Sequence, residues 1–149
     1  MKEDKLTRFT KLLLDLMFYA GIAVIATLPV TVKLYGRINS WFARYGIQLT
    51  ILLGISGILA EMILYELRRM FCTVLLNDCF VEENVWSLKR MGNYSFLIAL
   101  VTALRMPLYL TPAVMVVILV FVIAGLFSRV LGQVFARAIA YKLENDLTI

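Results

Sequence analysis

Three ionisable side chains stand inside long apolar runs: Asp15, Glu61 and Arg129. A charge in hydrocarbon costs roughly 2.5–3.5 kcal/mol on insertion scales unless it is neutralised or paired. Groups kept at that cost are either a path for an ion or proton, or polar glue between helices. The glue reading is preferred, with Glu61 facing Arg129. A transport path should also place polar groups at the midplane, and the later apolar runs offer almost none. The other concentration of chemistry is Asn77–Gly92 (NDCFVEENVWSLKRMG), the one long polar interval between the apolar segments. It mixes acids (Asp78, Glu82, Glu83) and bases (Lys89, Arg90) with an apolar stripe of Phe80, Val81, Val85, Trp86, Leu88 and Met91.

The chain has no histidine. That removes the commonest metal ligand and the usual general base near neutral pH. Cys72 and Cys79 are too few and too widely spaced for a zinc site. Two inert thiols in a reducing cytosol are preferred over a membrane thiol oxidoreductase. With no nucleophile–base pair and no metal constellation, no catalytic residue, metal or cofactor is assigned, and the chain is not expected to be an enzyme.

Composition says where these residues must sit. Of 149 residues 62% are hydrophobic, and the mean hydropathy is +0.86. A soluble domain is roughly 45–50% apolar, and the excess here lies in long runs. The expectation is a single all-α integral membrane domain, 1–149, folded as a four-transmembrane-helix bundle. Net charge is +5, but the bases flank apolar runs rather than forming a nucleic-acid patch. Membrane lipids, anionic headgroups above all, are the first expected partner, and direct nucleic-acid binding is not expected. The first apolar run is long for a signal peptide and lacks a clear small-residue cleavage site near Pro29–Lys33, so a retained helix is expected.

A span needs on the order of 20 residues, and four are readable, at about 12–32, 47–76, 79–110 and 113–144. Pro29 falls in the last turn of the first. Lys33, Arg37 and Arg44 stand among Tyr35, Trp41, Phe42 and Tyr45, an interfacial aromatic belt. Asn77-Asp78 is a turn signal, with Asp78 the expected N-cap of the third helix. Helices two, three and four outrun the bilayer on one side. That side holds Lys2, Lys5, Arg8, Lys11, Arg68, Arg69, Lys89, Arg90, Arg129, Arg137 and Lys142; the other holds Lys33, Arg37, Arg44 and a snorkelling Arg105. The imbalance places both termini and the helix two–three hairpin in the cytoplasm of a multi-pass plasma-membrane protein. Ala124, Ser128, Gly132, Ala136 and Ala140 form a small-residue row, read first as packing within the subunit and second as a homo-oligomer contact.

The hairpin and the tail resemble a known family. Phe80-Val81-Glu82-Glu83-Asn84-Val85 and Leu88-Lys89-Arg90-Met91-Gly92 match its central motif; Phe135 and Leu143-Glu144-Asn145-Asp146-Leu147-Thr148-Ile149 resemble its ending. Asp78-Cys79 stands where the family usually has a small-proline step. It is an uncharacterised group of small bacterial four-helix membrane proteins, known only as a domain of unknown function. Its members are frequently encoded beside a Cro/CI-type helix-turn-helix regulator, which implies a cytosolic partner and carries over no catalytic residue. The resulting expectation is a non-enzymatic regulatory or interaction protein. Glu82, Glu83, Asn84, Trp86, Lys89 and Arg90, with Glu144 and Asp146 of the tail, would form its partner-binding surface. The alternative is a small transporter or channel subunit using Glu61, Asp15 and Arg129.

Overall fold

The computed structural model describes residues 2–148, and side chains of 5–148. Ile149 and the Lys2 side chain, both named above, lie outside the described residues. Four helices account for almost the whole chain: α1 (Lys2–Ile38), α2 (Ser40–Leu75), α3 (Glu82–Leu104) and α4 (Pro112–Leu147). Of these, α1, α2 and α4 are long and apolar enough to cross a membrane. At 37, 36 and 36 residues each is about 55 Å long on the standard rise. Each therefore exceeds a hydrocarbon core of roughly 30 Å, α1 included. Pro29 does not close α1, which continues to Ile38.

Each boundary has a local cause. Asn39 is extended and accepts the Trp41 N–H at 3.1 Å, so α2 begins at Ser40 and not near Ile47. At its other end Asn77 takes φ 59°, the left-handed region that asparagine tolerates better than most residues. The Asp78 N–H then donates to Thr73 O and the Asn77 N–H to Val74 O, both at 3.1 Å. This pattern of bonds satisfies the last carbonyls of a helix. Asn77-Asp78 is thus the stop of α2. Asp78 does not cap α3, whose N-cap is Val81 and uses no side chain. Pro107 cannot extend α3, which ends at Leu104 and not near Leu110. The Leu108 and Tyr109 N–H groups turn back to Arg105 O, each at 3.0 Å. Pro112 opens α4 beneath a Thr111 cap.

The helices form an open bundle in which each packs on the next in chain order: α1 on α2, α2 on α3 and α3 on α4. The most enclosed helix is α3, because α2 and α4 both cover its first half. Met70 of α2 meets Leu88 and Met91, with Leu131 and Phe135 of α4 closing the other side. The α3–α4 seam is tightest at glycine. A Cβ on Gly92 would lie 3.2 Å from Gly125 O and 3.0 Å from Arg129 Cγ. Gly125, Ser128 and Gly132 are buried on this seam. The four-residue row expected from sequence drifts by about 40° per step, which carries Ala136 and Ala140 out to exposed positions.

Gly92→Leu is expected to lower unfolding stability in detergent by about 1–3 kcal/mol, the usual cost of overfilling a close contact, with Gly92→Ala costing less. An unchanged thermal midpoint in the leucine variant would mean that the glycine seat does not set the α3–α4 distance.

Candidate functional site

At the Asn77 end, α2 and α3 are joined by polar groups. Glu66 is only 3% exposed. Its Oε2 accepts the Ser87 hydroxyl at 2.6 Å and its Oε1 accepts Arg90 Nη1 at 3.1 Å. Two turns along α2, Asn84 Nδ2 donates to Thr73 Oγ1 at 2.7 Å and to Cys79 O at 2.8 Å. The Thr73 hydroxyl in turn donates to Met70 O at 2.7 Å. One amide therefore pins the α2–α3 linker to both helices. Sequence reasoning passed over Glu66 and Ser87. Glu66, Met70 and Thr73 share one helix face, as do Asn84, Ser87, Leu88 and Met91, and that register was the available signal.

Asn84 was expected on the partner surface, but at 1% exposed it meets nothing outside the molecule. Its spacing to Ser87 turns it onto the α2-facing side of α3. Glu82, Glu83, Trp86, Lys89 and Arg90 are exposed. Glu83 pairs with Arg69 at 3.0 Å, and the Lys89 ammonium lies 4.7 Å from the Trp86 ring centre. The end of α4 joins this hairpin through Lys142 Nζ to Asp78 Oδ1 at 3.6 Å and the Phe80–Phe135 rings at 5.3 Å. Glu144 and Asp146 are exposed on that same helix end. Among the described residues, Glu82, Glu144 and Asp146 form no ion pair.

Asp15, Glu61 and Arg129 do not come together. Asp15 accepts Arg68 Nε, whose guanidinium lies 4.5 Å from the Phe18 ring centre. Arg129 Nη2 donates to Asn93 Oδ1 at 2.6 Å, with its guanidinium 5.7 Å from the Phe96 ring centre. The expected Glu61–Arg129 contact is absent because α3 stands between α2 and α4, whose backbones do not approach. Glu61 instead lies against Gly21, where a Cβ would overlap its carboxylate, and its buried Oε2 has no partner. It lines a cleft of about 660 Å³ with Phe18, Ile22, Ile58 and Tyr65. Arg105 is partly buried, with its Nε enclosed and unpartnered. Cys72 and Cys79 are free thiols, and among the described residues no three potential ligands converge on a metal-sized site.

Removing Asn84 as Asn84→Ala should cost about 1–3 kcal/mol, the penalty for stranding buried polar partners. Glu66→Ala should cost about 3 kcal/mol, the low end for breaking a buried pair, since Arg90 is half-exposed. Chemical unfolding in detergent reads both, and neutral effects would place the hairpin's stability elsewhere. Glu61→Met should instead stabilise by on the order of 1 kcal/mol, because a carboxylate without a bonded partner leaves apolar surroundings. A lower midpoint for that variant would restore the glue role.

No curated protein and no solved structure matches the chain. Residues 17–149 match the family described as Protein of unknown function (DUF2975). The matched span takes in every polar contact described above except those of Asp15. The pattern that defines the family thus covers α2, α3, α4 and most of α1, and on that coverage the chain belongs to the DUF2975 family of proteins of unknown function.

Proposed function

We propose a non-enzymatic, four-span protein of the bacterial plasma membrane, with both termini and the α2–α3 linker in the cytoplasm. Its Asn77 end docks a cytosolic regulator or a membrane partner. The fourth span is α3. From Trp86 to Leu104 it rises about 27 Å, close to a hydrocarbon core of roughly 30 Å. Trp86 and Lys89 mark one end; at the other, Tyr109 stacks on Trp41 and Phe42 at 5.2 and 6.2 Å, a second aromatic girdle. Its modest apolarity follows from enclosure: Ser87, Ser95 and Thr102 are buried and face protein, not lipid. The orientation rests on the excess of bases at the Asn77 end.

The observation that carries the docking role is the acidic tip. Glu82, Glu144 and Asp146 lie unpaired, with the exposed Arg137 two turns before Glu144, on elements held together by Lys142–Asp78 and Phe80–Phe135. A preorganised acidic surface selects a basic protein face, the kind of face a DNA-binding regulator carries. Regulation then needs only a signal that changes the affinity for that face. The non-enzymatic reading rests on a sequence without histidine or a nucleophile–base pair. The transporter alternative loses ground because Asp15, Glu61 and Arg129 occupy three separate settings.

Reversing the tip charges (E82K, E144K and D146K together) should remove the protein that co-purifies from native membranes, while an impermeant maleimide should reach Cys79 only in opened cells. An unchanged set of co-purifying proteins would overturn the docking role, and labelling of Cys79 in intact cells would invert the topology.

A further inference from the structure

Between α3 and α4 lies a cleft of about 390 Å³ lined by Trp86, Lys89, Arg90, Asn93, Arg129 and Gln133. Its lining contains three cations and no carboxylate. Only one of those cations has an acid: Arg90 reaches back through Nη1 to Glu66, at 3.1 Å. Arg129 is bonded to the neutral Asn93 amide, and Lys89 lies over the Trp86 ring. Among the described residues neither makes an ion pair. The cleft therefore presents uncompensated positive charge beside amide donors, which suits a phosphate diester.

Its surroundings select the source of that phosphate. Trp86, Lys89, Arg90 and Asn93 follow one face of α3 at the spacing of successive helical turns. Further along the same face stand Leu97 and Leu100, and on α4 the face of Gln133 continues to Val130 and Leu126; all four are exposed. A charged cleft thus opens directly onto two parallel apolar tracks that run toward the bilayer centre, with an exposed tryptophan at its mouth. Charge above and acyl-chain contact below is the layout of a phospholipid, and basic pockets between spans on the cytoplasmic side bind such headgroups.

We propose that this α3–α4 cleft binds the headgroup of an anionic phospholipid, its phosphate held by Arg129 and Lys89 and its acyl chains laid along Leu97, Leu100, Leu126 and Val130. The inference rests on the reading that the Asn77 end lies at a membrane face. It gives the seam a second role besides packing: a lipid seated there bridges α3 and α4 just below the acidic tip. The acids and the bases then face different partners, the tip a protein and the cleft a lipid.

The test uses the full-length protein in detergent with added phosphatidylglycerol or phosphatidylcholine, read by native mass spectrometry. Because no bilayer is present, the result does not depend on topology, and its failure is separate from that of the orientation above. Wild type should retain phosphatidylglycerol at least tenfold better than phosphatidylcholine. Lys89→Gln, which breaks no ion pair, and Arg129→Gln should each reduce that preference about tenfold, as losing one charge-assisted hydrogen bond would. Thermal midpoints near wild type show that the fold persists, and Lys89→Gln carries the test alone if Arg129→Gln unfolds. Equal retention of the two lipids, or a preference untouched by Lys89→Gln, overturns the proposal. Displacement by free glycerol phosphate as readily as by lipid overturns it in favour of a soluble phosphate ligand.

Discussion

The arrangement turns on a carboxylate enclosed between two helices. Glu66 is buried and is matched by a hydroxyl and a guanidinium from α3. An apolar seam between α2 and α3 would slide or rotate at small cost, since lipid tails solvate leucine as well as a neighbouring helix does. A carboxylate with two specific donors permits one register. With Ser87 and Arg90 fixed to Glu66, Asn84 falls opposite Thr73 and Cys79 O, and the linker closes. The same register turns Trp86 and Lys89 outward and sets Leu88 and Met91 between Met70 and Phe135. The exposed face of the hairpin is therefore a consequence of its buried one.

Enclosure also explains the chemical division among the helices. Lipid-facing positions on α1, α2 and α4 are apolar because any unpaired polar group there is costly. Protein covers α3 on two sides, so its buried positions include Asn84, Ser87, Ser95 and Thr102. Asn84, Ser87 and Ser95 hydrogen-bond to neighbouring side chains or to backbone carbonyls, as with the Ser95 hydroxyl on Met91 O at 2.8 Å. The low apolarity of α3 measures the shelter it receives. Glycine sets the distance on the other flank, where Gly92 and Gly125 let α4 approach closely enough to bring Arg129 over Phe96.

Charge is sorted along the molecular axis by the same geometry. Lys89, Arg90 and Arg129 form a level from which α4 continues to Glu144, about 22 Å further on. Beyond that level Arg69 and Lys142 are taken up by Glu83 and Asp78, while Glu82, Glu144 and Asp146 stay unpaired and exposed. Glu61 is the exception to this order. Asp15 and Glu66 each have an arginine, whereas Glu61 rests against the bare backbone of Gly21.

By itself the sequence determined that the chain is helical and apolar beyond any soluble domain, because runs of this length must satisfy their backbone groups internally. It also marked Asn77 as a break, since asparagine readily takes the left-handed turn found there. What it could not supply was azimuth. Whether Glu61 faces Arg129, or Asn84 faces a partner, depends on which neighbour each helix has, and no periodicity names the neighbour. Only the tertiary structure decided that α3 separates α2 from α4. That separation keeps Glu61 from Arg129, buries Asn84 against Thr73 and gives Glu66 its donors. Contacts between residues distant in sequence are fixed by how rigid helices pack, a property of the assembled bundle and not of any one segment.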